Sequence, residues 1–311
     1  MSMRVATFNS SARMLATTLS TQARLAELQI QQATGKISVD YGGLGSTAGS
    51  LIGLEVSAAR AQSFATAASL SRHRVEVMYD ACGSLIDILA ELRAEVMRAS
   101  GSLDTVGAQA INDVARGMWG EAASLMNTRF EGRYLFAGSC VDTAPVDLSA
   151  LEVPPLPALP PPMPMPENRD YYNGDDAITS VRVSNDNVLE YGVTANHDAF
   201  EKTMRVFTLV VNYMTWPFDQ AIVDEANSLV LEAMNEMTAV QTLLSLDARA
   251  LERAEQDQLD FVDFAKAMES DLGDVDIAAV AARISTYEAQ LQASYSAIGK
   301  IQGLRLVDYL R

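Results

Sequence analysis

Between Val223 and Leu272 the chain carries an almost unbroken apolar stripe, reached by stepping alternately three and four residues. Its positions are Val223, Ala226, Val230, Ala233, Met237, Val240, Leu244, Asp247, Leu251, Ala254, Gln258, Phe261, Ala265, Met268 and Leu272. Only Asp247 and Gln258 are polar. An apolar period of 3.5 sustained for about seven heptads is a coiled-coil seam. A helix over this span measures roughly 75 Å, which predicts an elongated structure. After a break at Gly273, Asp274 and Asp276 suit the positive end of a new helix, and the stripe resumes through Ile277, Val280, Ile284, Tyr287, Leu291, Ser294, Ile298 and Ile301.

A matching stripe lies between Thr47 and Arg98: Leu51, Leu54, Ala58, Ala61, Ala65, Ala68, Arg72, Val75, Tyr79, Cys82, Ile86, Leu89, Arg93 and Val96. Two stripes of nearly equal length, far apart in sequence, are natural mates. Paired antiparallel with Leu51 beside Leu272, they bring Arg72 within a turn of Asp247. Those two charges then either fix the register of the pair or reach solvent by snorkelling. The predicted intramolecular seam therefore includes Leu51, Leu54, Val75, Ile86, Leu89, Val230, Leu244, Leu251 and Phe261.

Two further helices precede the middle of the chain. One runs from about Ser10 to Thr34, striped by Val5, Phe8, Ala12, Leu15, Leu19 and Ala26, and stops at Gly35. Tyr41–Gly49, with Gly42, Gly43, Gly45 and Gly49, reads as a flexible joint. The other, near Thr105–Asn127, carries Ile111, Val114, Met118, Ala122 and Leu125.

Between the helices the character changes. Arg133–Ala137 is a strand candidate, and 145–166 holds nine of the ten prolines, so it is extended and non-helical. Ala177–Ser184 and Asn187–Thr194 alternate apolar and polar residues around Asn185-Asp186, a hairpin signal. Asp198–Met214 is helical in pattern, and Trp216-Pro217 closes the insert. The predicted fold is mainly α: an elongated helical rod or coiled-coil bundle of N- and C-terminal segments, with a small β-containing domain between them. Residues 1–45 plus 274–311 form a terminal paired-helix region, 46–128 plus 217–273 the rod, and 129–216 the inserted outer domain.

Little in this sequence points to catalysis. The net charge of −17 argues against nucleic acid, whose phosphates require clustered Lys and Arg. No run of 18 apolar residues is present, so no membrane span is expected, and no conventional secretory signal is visible. His73 and His197 are the only histidines, and Cys82 and Cys140 make neither a disulfide framework nor a zinc site. Cys82 lies on a helical stripe as a small hydrophobe. Asp175, Asp176, Asp186, Glu190 and Asp198 are a carboxylate group that could serve a cation or a glycan, against solvated turn chemistry as the bland alternative. No enzyme activity, metal or cofactor is expected.

The run Asn127–Ser139, and within it Gly132, Arg133, Tyr134, Leu135, Phe136, Ala137 and Gly138, resembles the segment closing the N-terminal helices of the hook–filament junction proteins of the bacterial flagellum. These are the third hook-associated proteins, of the flagellin family. Thr34–Lys36 resembles that family's turn after the first helix. Ser270–Asp276 is similar to its acidic joint, Tyr172–Asp176 to the opening of its insert, and Leu306–Leu310 to its terminus. Tyr41–Gly45 and the proline tract depart from the pattern.

The resemblance implies a secreted structural subunit joining hook to filament. Its terminal helices would order on assembly through Phe8, Leu15, Leu19, Ala26, Ile277, Ile284, Leu291, Ile298 and Ile301. The implied partners are copies of itself in a ring, the first hook-associated protein, flagellin and a flagellar export chaperone. The implied location is the extracellular flagellum, reached through flagellar type III export without a cleavable signal. Alternatives are a minor flagellin of the filament, a carbohydrate- or cation-binding module in the insert, and a cytoplasmic coiled-coil signalling protein.

Overall fold

The structure, a computed structural model, describes residues 2–99, 105–151, 164–214 and 219–303. Residues 152–163 of the proline tract, Trp216-Pro217 and the terminal Leu306–Leu310 lie outside the described residues. The elements, in order, are α1 (Ser2–Thr34), a 3-10 segment (Tyr41–Thr47), α2 (Ala48–Ala99), α3 (Thr105–Met126), β1 (Arg129–Phe130) and β2 (Arg133–Tyr134). Then come β3 (Thr179–Arg182), β4 (Val188–Tyr191), α4 (Asp198–Tyr213), α5 (Gln220–Gly273) and α6 (Ile277–Gly303). The fold is mainly α with two small antiparallel hairpins, β1–β2 and β3–β4. Two compact units share it, residues 61–260 and residues 1–60 with 261–311.

Within 61–260, α2 and α5 run antiparallel. Arg93 Nε donates to Asn227 Oδ1 at 3.2 Å, Gln241 Nε2 to the Tyr79 carbonyl at 3.2 Å, and Arg72 Nε to Glu255 Oε2 at 3.2 Å. Rising residue numbers on α2 meet falling numbers on α5, in the register that the paired stripes predict. Val75, Leu89, Val230, Leu244 and Leu251 are buried there, and Ile86 is partly buried. On α2 the fully buried positions also include Leu85 and Leu92, because this helix is covered by more than one neighbour.

The expected proximity of Arg72 to Asp247 does not produce a pair. Asp247 and Glu255 lie one turn to either side of Leu251, so both were geometrically open to Arg72. Asp247 instead accepts the Gly192 N–H at 3.0 Å, and Arg72 bonds Glu255 and, at 2.5 Å, Glu76. Phe261, placed on the seam by the period, is 39% exposed, whereas Val262 and Ala265 are buried. A straight α-helix drifts about 20° per heptad from a 3.5 repeat, which is enough to turn the far end of a long stripe off its seam.

Helix α3 is rotated relative to its apparent stripe. Val114 is exposed, and Ile111, Ala115, Trp119, Ala122 and Met126 form the buried face. Helix α4 is the most enclosed element, with Phe200, Met204, Phe207 and Leu209 fully buried. It begins at His197, whose ring nitrogen accepts the Ala199 N–H. The end of the proline tract is fastened to these helices through Met165, whose N–H donates to Glu225 and whose carbonyl accepts from Arg205.

The glycine-rich joint at 41–49 is more regular than expected. It forms 3-10 turns with Gly45 (φ 59) between them, and leads directly into α2. Tyr41 anchors it by donating to Glu55 at 2.7 Å.

Candidate functional site

Two regions carry the residues singled out by the sequence: the 132–138 motif and the terminal helix pair α1/α6.

The motif is a folding device. Glu131 (φ 51) and Gly132 (φ 79) make a left-handed two-residue turn, which matches the twist of the β1–β2 hairpin. The predicted strand over Arg133–Ala137 shortens to Arg133–Tyr134, because the following backbone groups bond three separate segments. The Leu135 N–H donates to the Thr128 carbonyl, the Phe136 carbonyl accepts from Ala195, and the Ala137 carbonyl accepts from Asp175. No single ladder can satisfy partners in three places. Phe136 is fully buried edge-on to Phe200, with centroids 5.3 Å apart.

Gly138 (φ 68) passes directly over Asp175. A Cβ on Gly138 would lie 2.1 Å from Asp175 Oδ1 and 2.3 Å from its carbonyl oxygen, so the position excludes every side chain. The Asp175 carboxylate accepts N–H bonds from Ser139 at 2.7 Å and Ala177 at 3.1 Å, and a hydroxyl bond from Ser139. The Ser139 hydroxyl and amide hold its pKa below the ordinary carboxylate range. Asp176 accepts from Asn196, and Asp198 pairs with Arg169 at 2.6 Å. These carboxylates fasten loops, and no cluster of three His, Cys, Asp or Glu residues suited to a metal occurs among the described residues. Cys82 is buried, and burial pushes its thiol up to about 12, so it stays neutral.

The terminal pair is built differently. Helix α1 ends at Gly35 (φ 71), whose N–H bonds the Gln31 carbonyl at 2.8 Å, a left-handed helix cap. The chain then clasps the turn before α6. The Ile37 N–H donates to the Gly273 carbonyl at 2.7 Å, and the Val275 N–H to the Gly35 carbonyl at 2.8 Å. Asp276 caps α6, accepting from Ala278 at 2.9 Å and Ala279 at 3.1 Å. Thus the Thr34–Lys36 turn and the Ser270–Asp276 joint, singled out separately by sequence, are one structural junction. The Lys36 side chain adds a loose, exposed ion pair to Glu269.

Above that clasp, α1 and α6 touch along a narrow line. Thr18 and Leu28 are buried on α1, and Val280, Ile284 and Leu291 on α6. Leu25, Val275 and Tyr287 pack against this strip, and Gln22 bonds the Tyr295 hydroxyl. Ile284 and Leu291, expected to face neighbouring molecules, are thus covered within the chain. Ile298 is half-buried, while Leu15, Leu19, Ala26 and Ile277 are exposed. The side chains of Phe8 and Ile301 lie outside the described residues. Leu15 and Leu19 are 54% and 56% exposed, and Ile30 stands on the same face. That face lies about a third of a turn round α1 from Thr18 and Leu28, at about 100° per residue.

Comparison with known proteins gives the same outline. Residues 228–310 match the bacterial flagellin C-terminal helical region. No curated protein matches the chain in sequence. Among the solved structures that share its fold are two flagellar proteins. One is described as a flagellar hook-associated protein from Vibrio parahaemolyticus (TM-score 0.59, 16% identity, covering 76% of this chain and 99% of that one). The other is flagellar hook-associated protein-3 from Legionella pneumophila (TM-score 0.54, 13% identity, 70% and 98%). The chain therefore carries a stretch that matches the flagellin C-terminal helical region, within a fold shared with these two flagellar hook-associated proteins.

Proposed function

We propose that this chain is a non-enzymatic structural subunit of the bacterial flagellum that joins hook to filament and assembles through α1 and α6. The observation that carries the proposal is the unfinished burial of the terminal pair. Leu15, Leu19 and Ile30 remain open on a pair that contains part of the flagellin-like region. Large apolar side chains grouped on one helix face mark an interaction surface. Neighbouring copies in a ring would cover that face, making the ordering of the termini part of assembly.

In this reading the first hook-associated protein lies on one side of the ring and flagellin on the other, and an export chaperone covers the C-terminal helix before secretion. The route is flagellar type III export to the cell exterior. A minor flagellin of the filament is the second reading, supported by the match of 228–310 to a region that flagellins share. Isolated flagella labelled with antibody against residues 133–214 and viewed by electron microscopy separate the two. A single band at the base of each filament is expected. Label along the whole filament makes the chain a flagellin, and protein retained in the cytoplasm rejects both readings.

A further inference from the structure

Arg74, in the middle of α2, is a largely buried cation without a close counter-ion. Its side chain is 18% exposed. The Nη1 group approaches the Tyr191 hydroxyl at 3.4 Å and Nη2 the Glu131 carboxylate at 3.5 Å, both at the outer limit of a hydrogen bond. The Nε group is buried and has no partner among the described residues. A guanidinium offers five donors in a rigid fork, and a charge removed from water is costly unless its donors are used. Other partly buried arginines in this unit have closer counter-ions: Arg72 reaches Glu76 at 2.5 Å, and Arg205, whose Nε is likewise buried without a partner, reaches Glu201 at 2.7 Å.

Glu131 sits in the hairpin turn in the left-handed region (φ 51), and its half-exposed side chain meets Arg74 only at 3.5 Å. It is the only carboxylate within 4.0 Å of this guanidinium among the described residues. Asp247 is engaged by the Gly192 N–H.

Arg74 lines a cavity of about 50 Å³ together with Arg133, Tyr134, Met78, Ile178 and Val193. Arg133 has no ion pair among the described residues. Arg129 fixes the ring of Tyr134 from its face, 4.0 Å from the centroid, and donates to its hydroxyl at 2.5 Å. A space of this size holds only a few water-sized groups, at roughly 10–15 Å³ for each. It is too small for a sugar or nucleotide, whose sites measure roughly 300 Å³ or more. It does fit a carboxylate with a short alkyl stem. The arginine fork matches a planar carboxylate, and Met78, Ile178 and Val193 supply an apolar wall for the stem.

The geometry points to a binding site for a short-chain monocarboxylate, held by Arg74 and Arg133 between α2 and the two hairpins. The test uses the full chain, labelled with nitrogen-15 in its arginines and titrated with propionate. The expected result is a saturating shift of the Arg74 Nε–H resonance. In Arg74→Gln, followed through the broadening of labelled propionate, affinity falls by about tenfold or more, the usual scale for losing a charge-assisted pair. Glu131→Gln, which removes the competing carboxylate without altering the turn, is expected to bind several-fold tighter. If Arg74→Gln fails to give the wild-type cooperative melt, Arg133→Gln and Glu131→Gln carry the test, with weaker and tighter binding expected respectively. An absence of saturation by propionate in the wild type overturns the assignment, as does unchanged affinity in the arginine variants. Tighter binding of inorganic phosphate than of propionate overturns it too.

Discussion

Residues 61–260 and the terminal helix pair have similar apolar patterns, yet they bury them on different terms. In the first, a continuous core links α2, α3, α4, α5, the segment after β2 and the β3–β4 hairpin, with Trp119, Phe136, Tyr171, Phe200 and Phe207 almost fully enclosed. In the second, the cluster joining α1 to α6 contains Leu28, Val280 and Ile284, with Leu25, Val275 and Tyr287 at its margin. Helices of about 30 residues gain little from three such contacts against the entropy of ordering their backbones. A stripe shows that a helix has something to bury. It does not show whether the cover lies in the same chain.

The sharpest test of this contrast is a matched pair of truncations. Phe200→Ala empties a fully enclosed site beside Phe136 and is expected to cost about 3–5 kcal/mol in chemical denaturation. Ile284→Ala, in the thin α1/α6 strip, is expected to leave the main unfolding transition nearly unchanged while weakening assembly. If both move that transition equally, the two regions are one cooperative unit and the contrast fails.

Next in size is Gly138→Ala. Left-handed strain of about 1–2 kcal/mol adds to overlap with Asp175 worth about 1–3 kcal/mol, so the thermal midpoint should fall clearly. Gly132→Ala, which shares the strain but has no neighbour within 4 Å of an added Cβ, should fall less.

On the exposed face, Leu15→Asp with Leu19→Asp should change monomer stability by no more than about 0.5 kcal/mol each. The same variant should abolish self-association in sedimentation. Retained association would place the assembly surface elsewhere.

The smallest expected effect concerns Asp247, whose pKa is raised by burial, with the Gly192 N–H only partly offsetting it. A carboxyl with a raised folded-state pKa binds its proton more readily in the folded chain. Its contribution to stability is therefore greatest at low pH and declines as pH rises through that pKa. Asp247→Asn keeps an acceptor for Gly192 and loses the charge. It should be neutral to stabilising at pH 7, with the advantage over wild type shrinking as the pH is lowered. Asp198 has the opposite sign: the Arg169 hydrogen bond lowers its pKa, so its contribution is lost as pH falls.

Much of this architecture was legible in the residues themselves. The α2 and α5 stripes gave both the helices and their antiparallel register, and Asn185-Asp186 marked the hairpin that pairs Val181 with Leu189. The closing turn of α1 was visible at Gly35. These features repeat locally, so each residue's neighbours in sequence already report its environment.

Other features depended on distant segments. Val114 and Trp119 both suit a helix face, and the surroundings of α3 chose Trp119 for the core. Arg72 had carboxylates one turn to either side of Leu251, and the Gly192 amide, brought from the second hairpin, removed Asp247 from the choice. The need for glycine at position 138 comes from Asp175, 37 residues later in the sequence. Period and propensity fixed the elements and their pairing, since these are set by spacing along one chain segment. The buried face of α3, the partner of Arg72 and the contact at Gly138 were decided only by tertiary structure, because each is a competition among groups that folding alone brings together.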